Sequence, residues 1–554
     1  MENNTQSKES ALKKYKSLLI MGVALVLVVV LVLVLVLRPK GEEKPVGKDG
    51  ALNILALDVG VGTSMLENVK KEFEKQNPDV TVKFDTESGS SGRQRIVGEM
   101  MLGPKYQKYD LIFSDTASIR QILENENGDI PEYEKGFVEI TDVYNYQWEG
   151  ETEPIKNKLQ DAVLNFCNID EKYYFMHYGV NQYGFVYNAD YLQGKTLPVT
   201  TTEFFALLED LKSESYAPLY FSTDSKANYF DYIWFVWWAQ YEGVAQVENY
   251  FEGKDASGVY TPDIFKQMGR YYAYELCEKI LKPENGYAES NENFITAQTH
   301  FMDGEAAIMA NGTWIENEMK KQYKDGFPYK YDMMRVPVIS EIIEKCPVGD
   351  FADKEYANLN ATELAAADAE LAALIRAIDA DSTALTGEGY SVSQTTFDIV
   401  SEARSVAYMA GEMNYGVIPA AAKYPENAKK FLKFLYSNEG IELYHEQPTG
   451  MVLPLKNYDF SNNQTIQTNY TKLQKSTYET LFKSTLVRTV SGTKLEVPMR
   501  LATLATMEEV FSAPKQTDRM TAYDYWNATA YNYSYENNEG TAWKNLLEAA
   551  GLLG

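Results

Sequence analysis

The chain is poor in the residues that build metal centres and disulfide frameworks. It has only three cysteines, Cys167, Cys277 and Cys346, and three histidines among 554 residues. The cysteines are widely spaced and form no CxxC pair, so the sequence indicates neither a disulfide framework nor a zinc site. We therefore expect no metal and no other cofactor.

Basic residues are also scarce relative to acidic ones. The chain has 52 Lys and Arg against 79 Asp and Glu, which gives a formal net charge of −27. A surface of this charge repels polyanions, so a nucleic-acid partner is not expected.

Signatures of the common enzyme classes are missing as well. The sequence has no HExxH, no GxSxG and no P-loop, and the GVG at 60–62 lacks the rest of a dinucleotide fingerprint and is interpreted as a turn. We therefore expect a protein that is not an enzyme. Paired carboxylates meet only in space, however, so a glycoside hydrolase stays open as an alternative.

One long hydrophobic run is present, at residues 18–37. These 20 apolar residues carry no charge and would form a helix of about 30 Å, the thickness of a bilayer core. No cleavage site follows the run and no cysteine lies near it, so we expect an uncleaved transmembrane anchor rather than a signal peptide or a lipoprotein. Residues 38–50 are charged and rich in Pro and Gly, and they are interpreted as a tether.

The body begins with alternating strand and helix patterns. LNILALD (52–58) is typical of a buried strand, and residues 64–76 predict a helix in which Ser64 and Glu67 form a capping box. A further strand, a helix and the strand YDLIFSD (109–115) follow, a pattern that predicts a parallel sheet with crossover helices. The loops from Asp58 to Thr63 and after Ser114 should face one crevice.

A second pattern places a tryptophan at the carboxyl end of a strand. In FMDGEAAIMANGTWIENEM (301–319), Gly304 is positioned to end a helix, the small apolar residues predict a buried strand, and Thr313 with Glu316 predicts a capping box. Trp314 would be the first helical residue, at the edge where open α/β sheets bind ligands. From these residues alone, a core position and a ligand-facing position both stay open.

An aromatic helix adds a second candidate surface. Four of its aromatic residues share one face and are expected in the core: Phe230, Trp234, Trp237 and Tyr241. Three others fall off that face: Tyr229, Tyr232 and Trp238. Flat aromatic rings beside Asp and Asn suit sugars, which present apolar C–H faces and a rim of hydroxyl groups.

Several of these segments together resemble the family 1 extracellular solute-binding proteins of ABC importers, the group that contains maltose-binding protein. The most specific match is the segment from Phe301 to Trp314, which is similar to the family pattern F-x-x-G-x-A-A-M-x-x-x-G-x-W. FVYNADYL (185–192), the amphipathic helix YPENAKKFLKFLYSNEG (424–440) and GMVLPL (450–455) follow the family order. The resemblance covers about residues 51–460.

The resemblance implies an α/β fold of the two-lobed periplasmic-binding-protein type (type II), with hinge crossing strands between the lobes. The transmembrane helix expected from the apolar run precedes this body, and residues 1–17 are expected to be a cytoplasmic N-terminus. The alanine-rich segment within 340–385 has no counterpart in the family pattern and is interpreted as an insertion. The expected lobes are 51–180 with 335–430 for the N-terminal lobe, and 181–334 with 431–554 for the C-terminal lobe.

The resemblance also implies the residues that line the interlobe cleft. Trp314 matches the family tryptophan that lies against sugar, which favours the ligand-facing interpretation. The other expected ligand-binding residues are Asp58, Thr63, Ser114, Asp115, Asn181 and Tyr229. The maltose-binding member has a tryptophan in place of Ser114 and a carboxylate in place of Asn181, so the identity of the ligand does not transfer.

The implied function is that of the substrate-binding component of an ABC-type importer. We expect a carbohydrate ligand, an oligosaccharide, and ABC permease subunits as protein partners. The body should lie on the extracellular face of the membrane of a Gram-positive-type cell. A membrane-anchored sugar sensor and a glycoside hydrolase stay open as alternatives.

Overall fold

The structure is a computed structural model, and its description is confined to part of the chain. Described are residues 50–554, except 59, 101, 115–135, 170, 223–229, 292, 410–413, 457, 482–483, 489–494, 496–498, 500–506, 513–515, 517–518 and 554. The predicted transmembrane anchor at 18–37 and the predicted ligand residues Asp115 and Tyr229 lie outside the described residues. In the part that is described, no helix is both long and apolar enough to cross a bilayer.

The helices of the described residues are distributed along the whole body. In chain order they are α1 Ser64–Gln76, α2 Gly89–Met100, α3 Thr141–Tyr144, α4 Ile155–Lys158, α5 Asp161–Cys167, α6 Thr201–Leu211, α7 Asp231–Glu242, α8 Val244–Phe251, α9 Met268–Leu281, α10 Phe294–Met302, α11 Ile315–Met319, α12 Ala361–Asp379, α13 Gln394–Ser405, α14 Pro425–Leu435, α15 Asn438–His445, α16 Gln464–Asn469, α17 Lys472–Leu481, α18 Met507–Ser512, α19 Ala522–Tyr533 and α20 Thr541–Ala549.

The strands of the described residues are mostly short. In chain order they are β1 Ala51–Asp58, β2 Thr81–Ser88, β3 Leu111–Ser114, β4 Asn168–Ile169, β5 Lys172–Tyr173, β6 Phe175–His177, β7 Val180–Asn181, β8 Tyr183–Asn188, β9 Ala217–Ser222, β10 Ala288–Asn291, β11 Ala306–Gly312, β12 Tyr331–Met334, β13 Thr386–Gly387, β14 Tyr390–Ser391, β15 Val406–Met409, β16 Tyr415–Val417, β17 Met451–Val452 and β18 Thr485–Arg488.

The first of two five-stranded sheets has the strand order β2-β1-β3-β16-β6. Strand β1 pairs in parallel with β2 and with β3, as the alternation of strands and helices predicts. Strand β16 pairs antiparallel with both β3 and β6, so a segment 300 residues further along the chain completes the sheet. The sheet and its helices bury one apolar core, which we call the first lobe.

The second sheet has the order β10-β9-β11-β8-β12. Strand β11 lies at its centre, parallel to β9 and antiparallel to β8, and all seven of its residues are buried, as predicted for a buried strand. This sheet packs with the aromatic helix α7 in a separate apolar core, which we call the second lobe. The four aromatic residues predicted for the core, Phe230, Trp234, Trp237 and Tyr241, are all buried there.

The chain passes between the two lobes more than once. It leaves the first sheet after β6 and enters the second with β8, and it returns between β15 and β16. The short pair β7 and β17 lies beside the first of these crossings.

The two cores divide the later segments differently from the expected boundaries. Ile342, Leu371 and Val400 belong to the second core, whereas Ile441 and Leu453 belong to the first. The 335–405 region therefore packs with the second lobe, and the 431–470 region with the first.

Helix α12, within the expected insertion, is tied to the second lobe by polar contacts. Asp368 accepts hydrogen bonds from Thr200, at 2.8 Å, and from Ser340, at 2.6 Å. Arg376 pairs with Glu203 at 2.8 Å. Thr200 and Glu203 lie at the start of α6, and Ser340 follows β12, so α12 packs on the second lobe.

Candidate functional site

Trp314 lies where the two cores meet. It follows the buried strand β11, and its half-buried side chain packs against both apolar clusters. The indole folds back over the preceding backbone, because a Cβ built on Gly312 would lie only 1.7 Å from a ring carbon of Trp314. Gly312 is therefore the residue that lets the indole occupy this position.

The turn around Trp314 is not the capping box that the sequence predicts. Trp314 itself occupies the N-cap of α11, and no side chain caps that helix. The Thr313 hydroxyl instead donates to the Gly450 carbonyl at 2.6 Å, and Glu316 accepts from Thr471 at 2.5 Å. The prediction is wrong because both side chains bind segments more than 100 residues away.

The predicted capping box at α1 also fails to form. Thr63 occupies the N-cap, one residue before the expected Ser64, and its hydroxyl donates to Glu67 at 2.9 Å. The helix itself is confirmed over the predicted range. Met65 and Phe73 lie on its buried face.

Two tyrosines contact Trp314 and a third contacts those two, and the four residues form what we call the aromatic cluster. The ring of Tyr183, on β8, lies 4.7 Å from that of Trp314, and the ring of Tyr232, on α7, lies 6.1 Å away, both edge to face. Tyr408, on β15, lies 5.3 Å from Tyr183 and 5.2 Å from Tyr232. Trp314 and Tyr232 are half-buried, whereas the other two are buried.

The aromatic cluster was only partly visible in the sequence. Tyr232 stands out as one of the aromatic residues off the core face of its helix, and it does reach Trp314. Trp238, which also falls off that face, is fully buried in the second core. No pattern in the sequence points to Tyr183 or Tyr408, since they come from β8 and β15, which lie far apart in the chain.

The loop after β1 covers the cluster from the first lobe. Asn317, on α11, donates to the Gly60 carbonyl at 2.7 Å. A Cβ built on Gly60 would lie 3.1 Å from Trp314 and 3.2 Å from Glu318. This close approach brings the Asp58–Thr63 loop onto the second lobe, so the cleft is closed over Trp314.

The expected ligand residues of the first lobe lie at the carboxyl ends of its parallel strands. Asp58 ends β1 and is half-buried, and Thr63 is buried at the start of α1. Ser114 ends β3, is fully buried and pairs with Tyr415 across the sheet. Asp58 and Thr63 lie on the loop that covers Trp314, and their ligand contacts stay predictions.

Asn181 lies at a junction of the segments that link the lobes. Its amide nitrogen donates to the Gly450 carbonyl at 3.0 Å, and its amide oxygen accepts from Asn414 at 3.3 Å. The same Gly450 carbonyl binds Thr313, so one carbonyl joins three parts of the chain. The geometry gives Asn181 a structural role, and its ligand contact stays a prediction.

Two acidic residues that interact with each other, Glu316 and Asp332, lie near this turn. Burial raises the pKa of Glu316 to about 7, with Asp332 adding repulsion. Asp332 in turn pairs with Lys472 at 2.6 Å and accepts from the Tyr187 hydroxyl at 2.9 Å. Glu316 therefore holds a proton near neutral pH within two residues of the indole.

The residues around Trp314 present aromatic surfaces and hydrogen-bonding groups. In the described residues, no group of three or more His, Cys, Asp and Glu side chains is arranged to hold a metal ion. Glu318, beside the Gly60 loop, accepts from Gln298 at 2.9 Å. Half-buried rings next to carboxylates and amides are what a small polar ligand with apolar faces requires.

The fold is shared with solved binding proteins of very different sequence. A chitin oligosaccharide binding protein aligns with a TM-score of 0.53 at 13% identity, over 91% of this chain and 100% of that chain. An ABC substrate-binding protein from Listeria monocytogenes in complex with cycloalternan aligns with a TM-score of 0.52 at 13% identity, over the same shares. At these identities the likeness establishes a two-lobed, periplasmic-binding-protein-like α/β fold.

A third solved structure has the same fold. It comes from work on xylan utilization by the thermophilic bacterium Caldanaerobius polysaccharolyticus. It aligns with a TM-score of 0.54 at 12% identity, over 87% of this chain and 99% of that chain. No curated protein sequence matches the chain.

Sequence comparison extends the fold assignment to a family. The profile described as bacterial extracellular solute-binding protein matches residues 68–471, a span that includes β3, the aromatic helix, Trp314 and the Gly450 junction. The match covers well over half of the chain and confirms the resemblance seen in the sequence. The two lobes that close over Trp314 therefore belong to a member of the bacterial extracellular solute-binding protein family.

Proposed function

We propose that the protein captures a carbohydrate, an oligosaccharide, in the cleft between its lobes and delivers it to an ABC permease. The observation that carries this proposal is the aromatic cluster, in which half-buried Trp314 lies beneath Gly60 and contacts half-buried Tyr232. An aromatic ring can stack on the apolar face of a sugar, and the amides and carboxylates around the ring can bind the hydroxyl groups of the sugar.

The fold relatives support the same class of ligand. Two of them are named for chitin oligosaccharide and cycloalternan, and the third for work on xylan, so all three names concern oligomeric or polymeric sugars. Their shared fold makes a carbohydrate the first ligand to test.

Ligand capture would follow a hinge mechanism of the type II class. The crossings between β6 and β8 and between β15 and β16 would act as the hinge, with the Gly450 junction at its centre. A sugar that contacts both lobes favours the closed state in proportion to its difference in affinity for the two states. The permease would then recognise the closed form.

The location we propose is the outer face of a Gram-positive-type membrane. Membership of the extracellular family supports an external body. The apolar run at 18–37 supports a membrane anchor, and residues 38–50 would hold the body away from the bilayer. This anchor replaces the acylated cysteine of a lipoprotein, which the sequence lacks near that position.

Thermal unfolding tests the proposal. The chain from residue 41 onward is unfolded in the presence of a panel of oligosaccharides. A ligand that binds only the folded protein stabilises it by about 2.7 kcal/mol at a hundredfold excess over its Kd. We expect one class of glycan to raise the Tm and Trp314→Ala to abolish that rise.

A matched control is Trp148→Ala. Trp148 is also half-buried, but it lies in the first lobe, where its indole donates to the Lys433 carbonyl at 2.9 Å. It should lower the Tm without changing the sugar response. A sugar response that survives Trp314→Ala would refute this cleft, and a glycan recovered in cleaved form would favour the hydrolase. Failure of the bound protein to associate with any permease would favour the sensor.

A further inference from the structure

The second lobe contains a cavity that shares no lining residue with the site around Trp314. Its volume is about 580 Å³. It lies between the first turns of α6, helix α9, the turn after α9 and the short helix Ser340–Lys345. It is lined by Thr201, Thr202, Phe205, Glu275, Leu276, Glu278, Lys279, Lys282, Glu284, Asn285 and Glu341.

Some of the charges around this cavity neutralise one another. Glu278 pairs with Lys282 at 2.5 Å. Glu284 pairs with Arg519, which lies outside the lining. These two carboxylates are therefore already compensated by cations of the chain itself.

The remaining charges leave an excess of carboxylate. Glu275 accepts a hydrogen bond from the Tyr271 hydroxyl at 2.6 Å. Lys279 has no carboxylate within ion-pair distance in the described part of the chain, and its ammonium lies 3.7 Å from the centroid of the Phe205 ring. Glu341 contributes a second carboxylate, so two acids face one ammonium.

Glu341 is the least satisfied of these groups. Its Oε2 atom is buried and has no hydrogen-bond partner among the described residues. A buried carboxylate oxygen without a donor carries the full cost of its desolvation. The side chain would gain most from a donor that arrives with a ligand.

The titration behaviour of the acids agrees with a missing cation. Burial raises the pKa of Glu341 to about 7, and repulsion from Glu275 and Asp368 adds to the effect while Lys279 opposes it. Burial also raises the pKa of Glu275 and lowers that of Lys279. A positive charge placed near Glu341 would reduce the shifts of the two carboxylates, whereas it would lower the pKa of Lys279 further.

The cavity walls indicate the kind of cation. Phe205 and Leu276 are apolar and almost fully buried, which suits a short hydrocarbon chain. The described residues hold no cluster of three or more potential metal ligands, which argues against a metal ion. A primary ammonium group supplies three donors and a hydrocarbon stem in one molecule.

We propose that this cavity is a second ligand site, for a small alkylammonium compound whose ammonium group pairs with Glu341 and whose carbon chain lies along Phe205 and Leu276. The site is independent of the sugar cleft. A bound alkylammonium compound would link the short helix Ser340–Lys345 to α9 and so stabilise the second lobe.

Amine binding to the full-length protein in detergent tests the proposal. Butylamine is titrated while unfolding is monitored, with butyrate and butan-1-ol as probes of the same length and a different head group. Butylamine alone should raise the Tm in a saturable way. Because Glu341 must ionise to bind, the apparent affinity should be about tenfold higher at pH 8 than at pH 6.

Two variants should change the affinity for butylamine in opposite directions. Glu341→Gln should weaken butylamine binding more than about tenfold, since it removes a desolvated charge partner. Lys279→Met should strengthen the binding severalfold, because it removes the competing cation. The control is Lys212→Met, because the Lys212 ammonium also lies over an aromatic ring, 5.0 Å from the centroid of Tyr287, but outside the cavity. It should change nothing.

Each other outcome overturns the proposal. Weaker butylamine binding in Lys279→Met would show that the lysine does not compete with the ligand ammonium for Glu341, which the proposal requires. A butylamine response unaffected by Glu341→Gln, or no response at all, would remove Glu341 from any ligand role. Trp314→Ala should leave the amine response intact, so failure here and failure of sugar binding are distinguishable.

Discussion

At the scale of single residues, the position of Trp314 depends on its neighbours rather than on its own type. The indole occupies space that only a glycine at 312 leaves open, and the turn is held by Thr313 rather than by a helix cap. The sequence placed Trp314 at the end of a buried strand correctly. It did not reveal that Thr313 and Glu316 bind distant segments.

Gly312→Ala should remove sugar binding without a substitution at Trp314 itself. The added Cβ would lie 1.7 Å from the ring, so the indole must leave the cleft. We expect the sugar-induced rise in Tm to be lost. Gly98→Ala is the control, because a Cβ there meets nothing within 4 Å and, inside helix α2, should stabilise by roughly 0.5–1 kcal/mol. An unchanged sugar response in Gly312→Ala would mean that the indole does not bind the ligand.

Glu316 should make stability depend on pH. Its pKa in the folded protein, about 7, exceeds the ordinary value of 4.5, so the folded state binds the proton more tightly. Its contribution to the free energy of unfolding is therefore fully present below pH 4.5 and is lost as pH rises through 7. The difference is at most about 3 kcal/mol.

Urea unfolding of the wild type and Glu316→Gln at pH 5 and pH 8 measures this contribution. The wild type should lose more stability than the variant between the two pH values. Other titrating groups, such as buried His445, whose pKa burial lowers to about 3, are the same in both proteins and cancel in the difference. Parallel pH profiles would show that Glu316 is not the proton site.

At the scale of elements, the links between the lobes meet at one carbonyl. Gly450 accepts from Thr313 and from Asn181, and it precedes strand β17, which pairs with β7. Local patterns predict strands and helices because their periodicity is a property of neighbouring residues. At this junction Gly450 binds Thr313, which is 137 positions away in the chain, and Asn181, which is 269 positions away. No local pattern encodes contacts over such separations.

Gly450→Ala should destabilise the protein more than a left-handed backbone alone explains. Gly450 has a φ of +78°, and a Cβ there would lie 2.1 Å from the Thr313 carbonyl oxygen. Gly326→Ala is the control, since Gly326 also has positive φ but nothing within 4 Å. The control should cost about 1–2 kcal/mol and Gly450→Ala about 1–3 kcal/mol more, as measured by urea unfolding. Equal losses would exclude a role for packing at the junction.

At the scale of the whole molecule, the proposed function depends on closure of one lobe on the other. The hydrogen bond from Asn317 to the Gly60 carbonyl joins residues 257 positions apart and lies beside Trp314. Because this bond links the two lobes, opening of the cleft would break it, so we expect it to act on the lifetime of the complex rather than on the stability of either lobe.

Asn317→Ala should release the sugar faster. The loss of one hydrogen bond, about 0.5–1.5 kcal/mol, predicts a dissociation rate about two to twelve times higher with little change in the Tm of the free protein. Stopped-flow fluorescence measures the rate. Asn68→Ala removes a similar bond inside the first lobe, from Asn68 to the Leu443 carbonyl at 2.7 Å, and should lower the Tm without changing the rate. Equal dissociation rates in the wild type and Asn317→Ala would show that this bond does not hold the cleft closed.

The sequence by itself determined the elements whose signals are local: the parallel pairing of β1, β2 and β3, the buried strand β11, the amphipathic helices, and the place of Trp314 at a strand end. Together with the ordered family pattern, these were enough to identify the family. Only the tertiary structure decided which side chains meet. Tyr183, Tyr232 and Tyr408 join Trp314 in one aromatic cluster, and Glu275 and Glu341 line one cavity, because strands and helices far apart in the chain pack on the same core. Such contacts depend on three-dimensional packing, and a one-dimensional pattern carries no record of them.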